Sequence, residues 1–197
     1  MRTMSVFVLL ATVLLLAGCA SKPDQEAAAA QKALDAAKTA EADIYSEQAY
    51  QAASDALKSA EAEIAAQDQK SFFSRNYDKA KELLNRAKTQ ADRAASTAIA
   101  YKEQVKTEAQ TAQTDARTAL DAAKEALIKA PKGKGTKADL DALGGDLTAA
   151  EASFTEAKAS FDAGRFMDAR NQFNAVKEKA DAVAADIQQA TRKKKVS

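Results

Sequence analysis

Helix breakers are the scarcest residues in this chain, and their scarcity limits its folding more than any motif does: two prolines and six glycines are spread over 197 residues. Alanine occupies 50 positions, accompanied mainly by Lys, Glu, Gln and Asp. Ala, Lys, Glu and Gln lose little freedom on entering a helix, so local propensity favours helix along most of the chain. β-branched residues are sparse and no segment alternates with a period of two, which leaves strands without support. The expected fold class is all-α, as elongated antiparallel helical hairpins or a bundle.

Large apolar residues recur at spacings of three and four, and this periodicity sets the expected course of the helices. A first helix is expected from about Asp24 to Gln69, with Leu34, Ala37, Ile44, Ala53, Leu57, Ala60 and Ile64 on its inner side. A tight reversal follows around Ser71-Phe72-Phe73-Ser74. The second helix begins near Asn76 or Tyr77 and keeps its period through Leu84, Ala94, Val105, Ala116 and Leu120 to Ala130. A helix of that length would extend about 80 Å at 1.5 Å per residue, and the Thr- and Gln-rich span 107–118 leaves a hidden break open. Pro131 ends it, and Lys132-Gly133-Lys134-Gly135-Thr136-Lys137 reads as a solvated basic turn. Thr136 is expected to cap the third helix, with Asp139 in the place of the capping-box acid. That helix covers Lys137 to Ala163, and at Gly144-Gly145 it either bends or admits another backbone. Gly164 marks a turn, and a fourth helix is expected from Phe166 to Thr191. The resulting layout is 1–18 signal peptide, 19–25 lipidated N-terminus and short tether, 26–130 long helical hairpin, 131–137 basic loop, 138–191 C-terminal hairpin and 192–197 basic tail.

The two halves share an internal repeat. Ala33-Leu34-Asp35-Ala36-Ala37-Lys38 recurs as Ala119-Leu120-Asp121-Ala122-Ala123-Lys124, and 39 or 42 residues after its lysine each copy is followed by an aromatic, Tyr77 or Phe166. From those anchors Ala80 matches Ala169, Leu84 matches Phe173 and Ala87 matches Val176, the pattern of two related helical hairpins. The segments Asn76-Tyr77-Asp78-Lys79-Ala80 and Gly164-Arg165-Phe166-Met167-Asp168-Ala169 resemble the second-helix signature of tetratricopeptide repeats. The stretch from Ala37 to Ala91 more closely resembles an uncharacterised Ala-rich lipoprotein domain of bacterial envelopes. These resemblances imply a fold that is tetratricopeptide-like in part and a setting in the cell envelope.

The N-terminus points to the same setting. Arg2 precedes an apolar run from Val6 to Leu16, which Leu16-Ala17-Gly18-Cys19 closes with small residues before the chain's one cysteine. The run is too short to span a membrane and reads as an export signal with a processing site. Its last four residues resemble the lipobox of bacterial lipoproteins. The resemblance implies cleavage before Cys19, acylation of Cys19, and a membrane anchor made of that lipid. Ala20 and Ser21 in place of an acidic residue imply sorting to the outer membrane, facing the periplasm.

Loss of the signal removes Arg2, leaving 28 basic and 28 acidic side chains, a balance that argues against nucleic-acid binding. There is no histidine, and no second cysteine for a disulfide. No metal site, no catalytic residue and no cofactor beyond the covalent lipid on Cys19 is therefore expected. Tyr45, Tyr50, Phe72, Phe73 and Tyr101 form a candidate interaction surface, while Tyr77, Phe154, Phe161, Phe166 and Phe173 are expected as structural aromatics. The expected function is a lipid-anchored envelope scaffold or protein-interaction module that is not an enzyme. Its expected partners are the membrane, through the anchor, and another envelope protein or peptidoglycan, with oligomerisation left open. The competing classes are a periplasmic solute- or glycan-binding accessory and an enzyme subunit.

Overall fold

The structure is a computed structural model that describes residues 21–131, 133 and 136–196; the expected signal and Cys19 lie outside them. All regular structure among the described residues is helical: α1 (Asp24–Thr39), α2 (Ala42–Tyr45), α3 (Glu47–Asp68), a 3₁₀ turn (Phe72–Ser74), α4 (Asp78–Lys129), α5 (Lys137–Asp162) and α6 (Phe166–Val196). The chain divides into two compact units at Ile99/Ala100, inside α4.

In the N-terminal unit the single helix expected from Asp24 to Gln69 is replaced by two long helices and a short one. The chain leaves α1 at Ala40, and Glu41 takes a left-handed conformation with φ 58°. Ser46, with φ −149°, separates the single turn of α2 from α3. Lys22, ahead of α1, bonds Asp68 at the end of α3, so the two long helices run antiparallel. Ile44, expected on the inner stripe, falls in the reversal and is 56% exposed. The core of this unit joins Ala30, Ala56, Leu57, Ala60, Ile64, Tyr77, Ala80, Leu84 and Ala87. Small side chains dominate it, which lets helix backbones approach closely.

The long second helix is continuous in α4, and its threonines explain how. Thr107, Thr111, Thr114 and Thr118 each donate their hydroxyl to the carbonyl four residues earlier, so their polar groups are satisfied within the helix.

The C-terminal unit joins the end of α4 to α5 and α6 around Leu120, Leu140, Leu147, Phe154, Phe173, Val176, Val183 and Ile187. The α5/α6 turn is a Schellman motif. Gly164 at φ 77° donates its N–H to the Phe161 carbonyl (2.9 Å), and Arg165 donates to that of Ser160 (3.0 Å). Helix α5 passes through Gly144-Gly145 without a break. A Cβ at Gly144 would lie 3.6 Å from Leu127 Cδ2, and one at Gly145 would meet nothing within 4 Å, so no close backbone approach requires either glycine.

Thr136 stands at the N-cap position of α5 but makes no capping bond. Its hydroxyl instead donates to the Pro131 carbonyl (3.0 Å) and accepts from the Gly133 N–H (3.2 Å), tying the loop to itself. Helix α6 extends to Val196, well into the stretch expected as a tail. The positions matched by the repeat, Ala80/Ala169, Leu84/Phe173 and Ala87/Val176, are all buried.

Candidate functional site

A polar cluster joins three segments where α1 begins, α3 ends and α4 begins. Asp68 accepts from Lys22 Nζ at 2.8 Å and from the Tyr77 hydroxyl at 2.5 Å. Three chain segments thus meet on one carboxylate. The hydrogen bond from Lys22, then that from Tyr77, holds Asp68 below the usual carboxylate range. The bond to Asp68 raises Lys22, and the same carboxylate followed by burial raises the Tyr77 phenol. Tyr77 itself is only 3% exposed.

The connection 69–77 is fastened to this cluster. Arg75 donates to the backbone carbonyls of Asp68 (2.9 Å) and Lys70 (3.1 Å), and the Asn76 N–H donates to the side chain of Gln67 (3.1 Å). Gln67, buried among the helices, also donates to Glu63 (2.7 Å), which pairs with Lys79 (3.0 Å). The Ser71 and Ser74 hydroxyls bond each other across the 3₁₀ turn. The connection presents Phe72 and Phe73 to solvent at 65% and 95% exposure, edge to face with ring centroids 5.5 Å apart.

The five expected contact residues are divided between the two units. Phe72 and Phe73 are brought together; Tyr50 and Tyr101 are half-buried, Tyr101 within the C-terminal unit. Tyr45 is 6% exposed inside the N-terminal unit, a correction to its expected place on a contact surface. Of the expected structural aromatics, Tyr77, Phe154, Phe166 and Phe173 are buried and Phe161 is half-buried. The four phenylalanines form two pairs: Phe154 with Phe173 (5.2 Å between centroids) and Phe161 with Phe166 (5.1 Å). Arg117 stacks 4.4 Å from the Phe154 ring, and Lys102 and Lys106 lie over Phe166. Sequence reasoning missed the Lys22–Asp68 link, because 46 residues separate the partners and neither carries a local signature.

In the C-terminal unit Arg170 donates to Glu108 at 2.6 Å, beside a shallow depression of about 300 Å³. The bond from Gln104, then that from Arg170, lowers the Glu108 carboxyl. An open groove of about 710 Å³ is lined by Ala126, Pro131, Ile187, Gln188 and Arg192. Among the described residues no group of three or more His, Cys, Asp or Glu could hold a metal ion, and no helix is long and apolar enough to cross a membrane. No family model matches this chain, and comparison with curated proteins and with solved structures finds no match.

Proposed function

We propose that this chain is a lipoprotein of a bacterial cell envelope, anchored through Cys19 to the outer membrane and facing the periplasm, that works by contact as a scaffold or interaction module. The observation that carries this reading is the closeness of a lipobox-like Cys19 to an ordered body. Lys22 is already bonded to Asp68, Pro23 is fully buried and α1 starts at Asp24. Two or more acyl chains hold a protein stably at a bilayer, so such a body would be held close to the lipid. The tetratricopeptide-like segments, with Tyr77 and Phe166 at their heads, favour recognition of another envelope protein or of peptidoglycan through helix surfaces. A second reading, a solute- or glycan-binding accessory, draws on the groove beside Ile187 and Arg192.

Mass spectrometry of the mature N-terminus tests the anchor. Acylated Cys19 is expected, with Cys19→Ser accumulating as unprocessed precursor; cleavage that leaves an unmodified cysteine would refute it. Co-purification from detergent-solubilised envelopes, compared with small-molecule screening, separates the two functional readings. A stoichiometric small ligand with no protein or glycan partner would favour the accessory.

A further inference from the structure

We propose that Phe72 and Phe73 form a second membrane contact, inserting into the lipid interface beside the acylated cysteine and setting the orientation of the N-terminal unit. The proposal rests on the anchor reading above and adds a site to it.

Chain length supplies the first argument. Cys19 lies three residues before Lys22, and three residues span at most about 11 Å. Lys22 is fixed to Asp68 by a 2.8 Å ion pair, and Asp68 lies four residues before Phe72. The aromatic pair therefore sits at the end of the unit where the lipid emerges. The polar layer of a bilayer is itself about 5–7 Å thick on each side, so so short a leash keeps this end within reach of the interface.

The loop's construction supplies the second. The connection bonds its polar side chains within itself, Arg75 to the Asp68 carbonyl, Asn76 to the Asp78 N–H and Ser71 to Ser74, and leaves two phenyl rings in water beside them. Neither ring belongs to the core of the unit, so their exposure is not a by-product of packing. Rings held on a fastened loop lose little further freedom when they enter an apolar phase. A lipid surface matches this geometry: two adjacent apolar tips, flanked by the exposed Lys70 and backed by polar groups already satisfied.

The chain contains no tryptophan, so one introduced indole reports on its own position. Phe73→Trp and, in the reversal at the other end of α1, Ile44→Trp are expressed from the full gene. The lipidated mature proteins are then reconstituted into phosphatidylethanolamine/phosphatidylglycerol vesicles with brominated acyl chains. The indole at position 73 is expected to shift to the blue and be quenched by the brominated chains, while that at position 44 is quenched by aqueous iodide alone. Removing both rings, by Phe72→Ser with Phe73→Ser, should leave the melting temperature unchanged and speed transfer between vesicles about tenfold or more.

Iodide quenching at position 73 equal to that at position 44, with unaltered transfer, would overturn the proposal. So would an indole shielded by added peptidoglycan or a purified envelope protein but not by lipid. Mass spectrometry keeps the two ideas apart: an unacylated Cys19 removes the anchor and this proposal with it, whereas an acylated Cys19 with a water-exposed indole removes the proposal alone.

Discussion

The two units close their helix reversals by different chemistry. In the C-terminal unit Gly164 supplies the left-handed residue between α5 and α6, and backbone bonds complete the turn. In the N-terminal unit the left-handed position after α1 is filled by Glu41, which has a Cβ to accommodate. The connection from α3 to α4 is instead fastened to the side chains of Asp68 and Gln67, which accept from Lys22 and Tyr77 and from the Asn76 N–H. Alanine is the commonest residue in both cores, which differ in their large side chains: Phe154, Phe173 and branched residues in the C-terminal unit, and Leu57, Ile64, Tyr77 and Leu84 in the N-terminal unit. Stability in the C-terminal unit should depend on its phenylalanine rings staying, and in the N-terminal unit, which has none in its core, on its buried alanines staying small.

The largest effect should come from removing a ring. Phe173 is fully buried against Phe154, so Phe173→Ala should destabilise the C-terminal unit by about 3–5 kcal/mol in urea unfolding. Gln189→Ala, on the exposed side of the same helix, should stay within about 0.5 kcal/mol. Equal effects would mean that the ring pairs do not hold this unit together.

The converse change tests the alanine core. Ala60 is fully buried, and Ala60→Leu should cost about 1–3 kcal/mol by overpacking, measured by the same unfolding. A gain in stability would reveal unfilled space around Ala60.

Next come the reversals, where the two units should respond with opposite signs. Gly164→Ala places a Cβ at φ 77° and should cost about 1 kcal/mol or more in thermal unfolding. Glu41→Gly relieves the same strain while adding freedom to the unfolded chain, so its net gain should stay below about 1 kcal/mol. Loss in both variants would show that Glu41 contributes more than its backbone conformation.

The smallest effect should be electrostatic, since Lys22 and Asp68 are both partly open to solvent. Asp68 is depressed when folded, so its contribution is complete above the unfolded value near about 4 and fades as pH falls through the folded value. Lys22 and Tyr77 are raised, so theirs is complete below about pH 10 and fades as pH rises through their folded values. Melting temperature followed by circular dichroism should therefore decline at both extremes, and Asp68→Asn should flatten both limbs. Unaltered limbs would remove this cluster from the stability of the unit.

What could be read from the amino acids alone follows from where each signal resides. The all-helical class is carried by local propensity, and the turn at Gly164 by a residue whose backbone freedom suits it. The reversal after α1 was hidden, because no glycine or proline lies between Pro23 and Pro131 and a left-handed glutamate has no signature. Apolar spacing also failed there: Ile44 continues the stripe by count, yet the helix has already ended. The Thr-rich span leaves a break open by sequence that α4 does not make, since back-bonding satisfies the hydroxyls without leaving the helix. At the candidate site, exposed Phe72 and Phe73 could be singled out by type. The carboxylate that fastens their loop could not, because its partners are brought in by the tertiary fold.

The division at Ile99/Ala100 bears on how such a chain can be dissected or inherited. Module borders usually fall in exposed linkers, where a cut removes no hydrogen bond. Here the border lies within continuous α4, whose ladder carries the carbonyls of residues 96–99 to the N–H groups of residues 100–103. Severing the chain at that point would create two raw helix ends, one short of acceptors and the other of donors. Gene fusion, proteolysis or an expression experiment that treats each half as a ready-made piece must supply a new cap to each. The halves are joined at their least separable point, so the smallest transferable piece of this protein is larger than its smallest compact one.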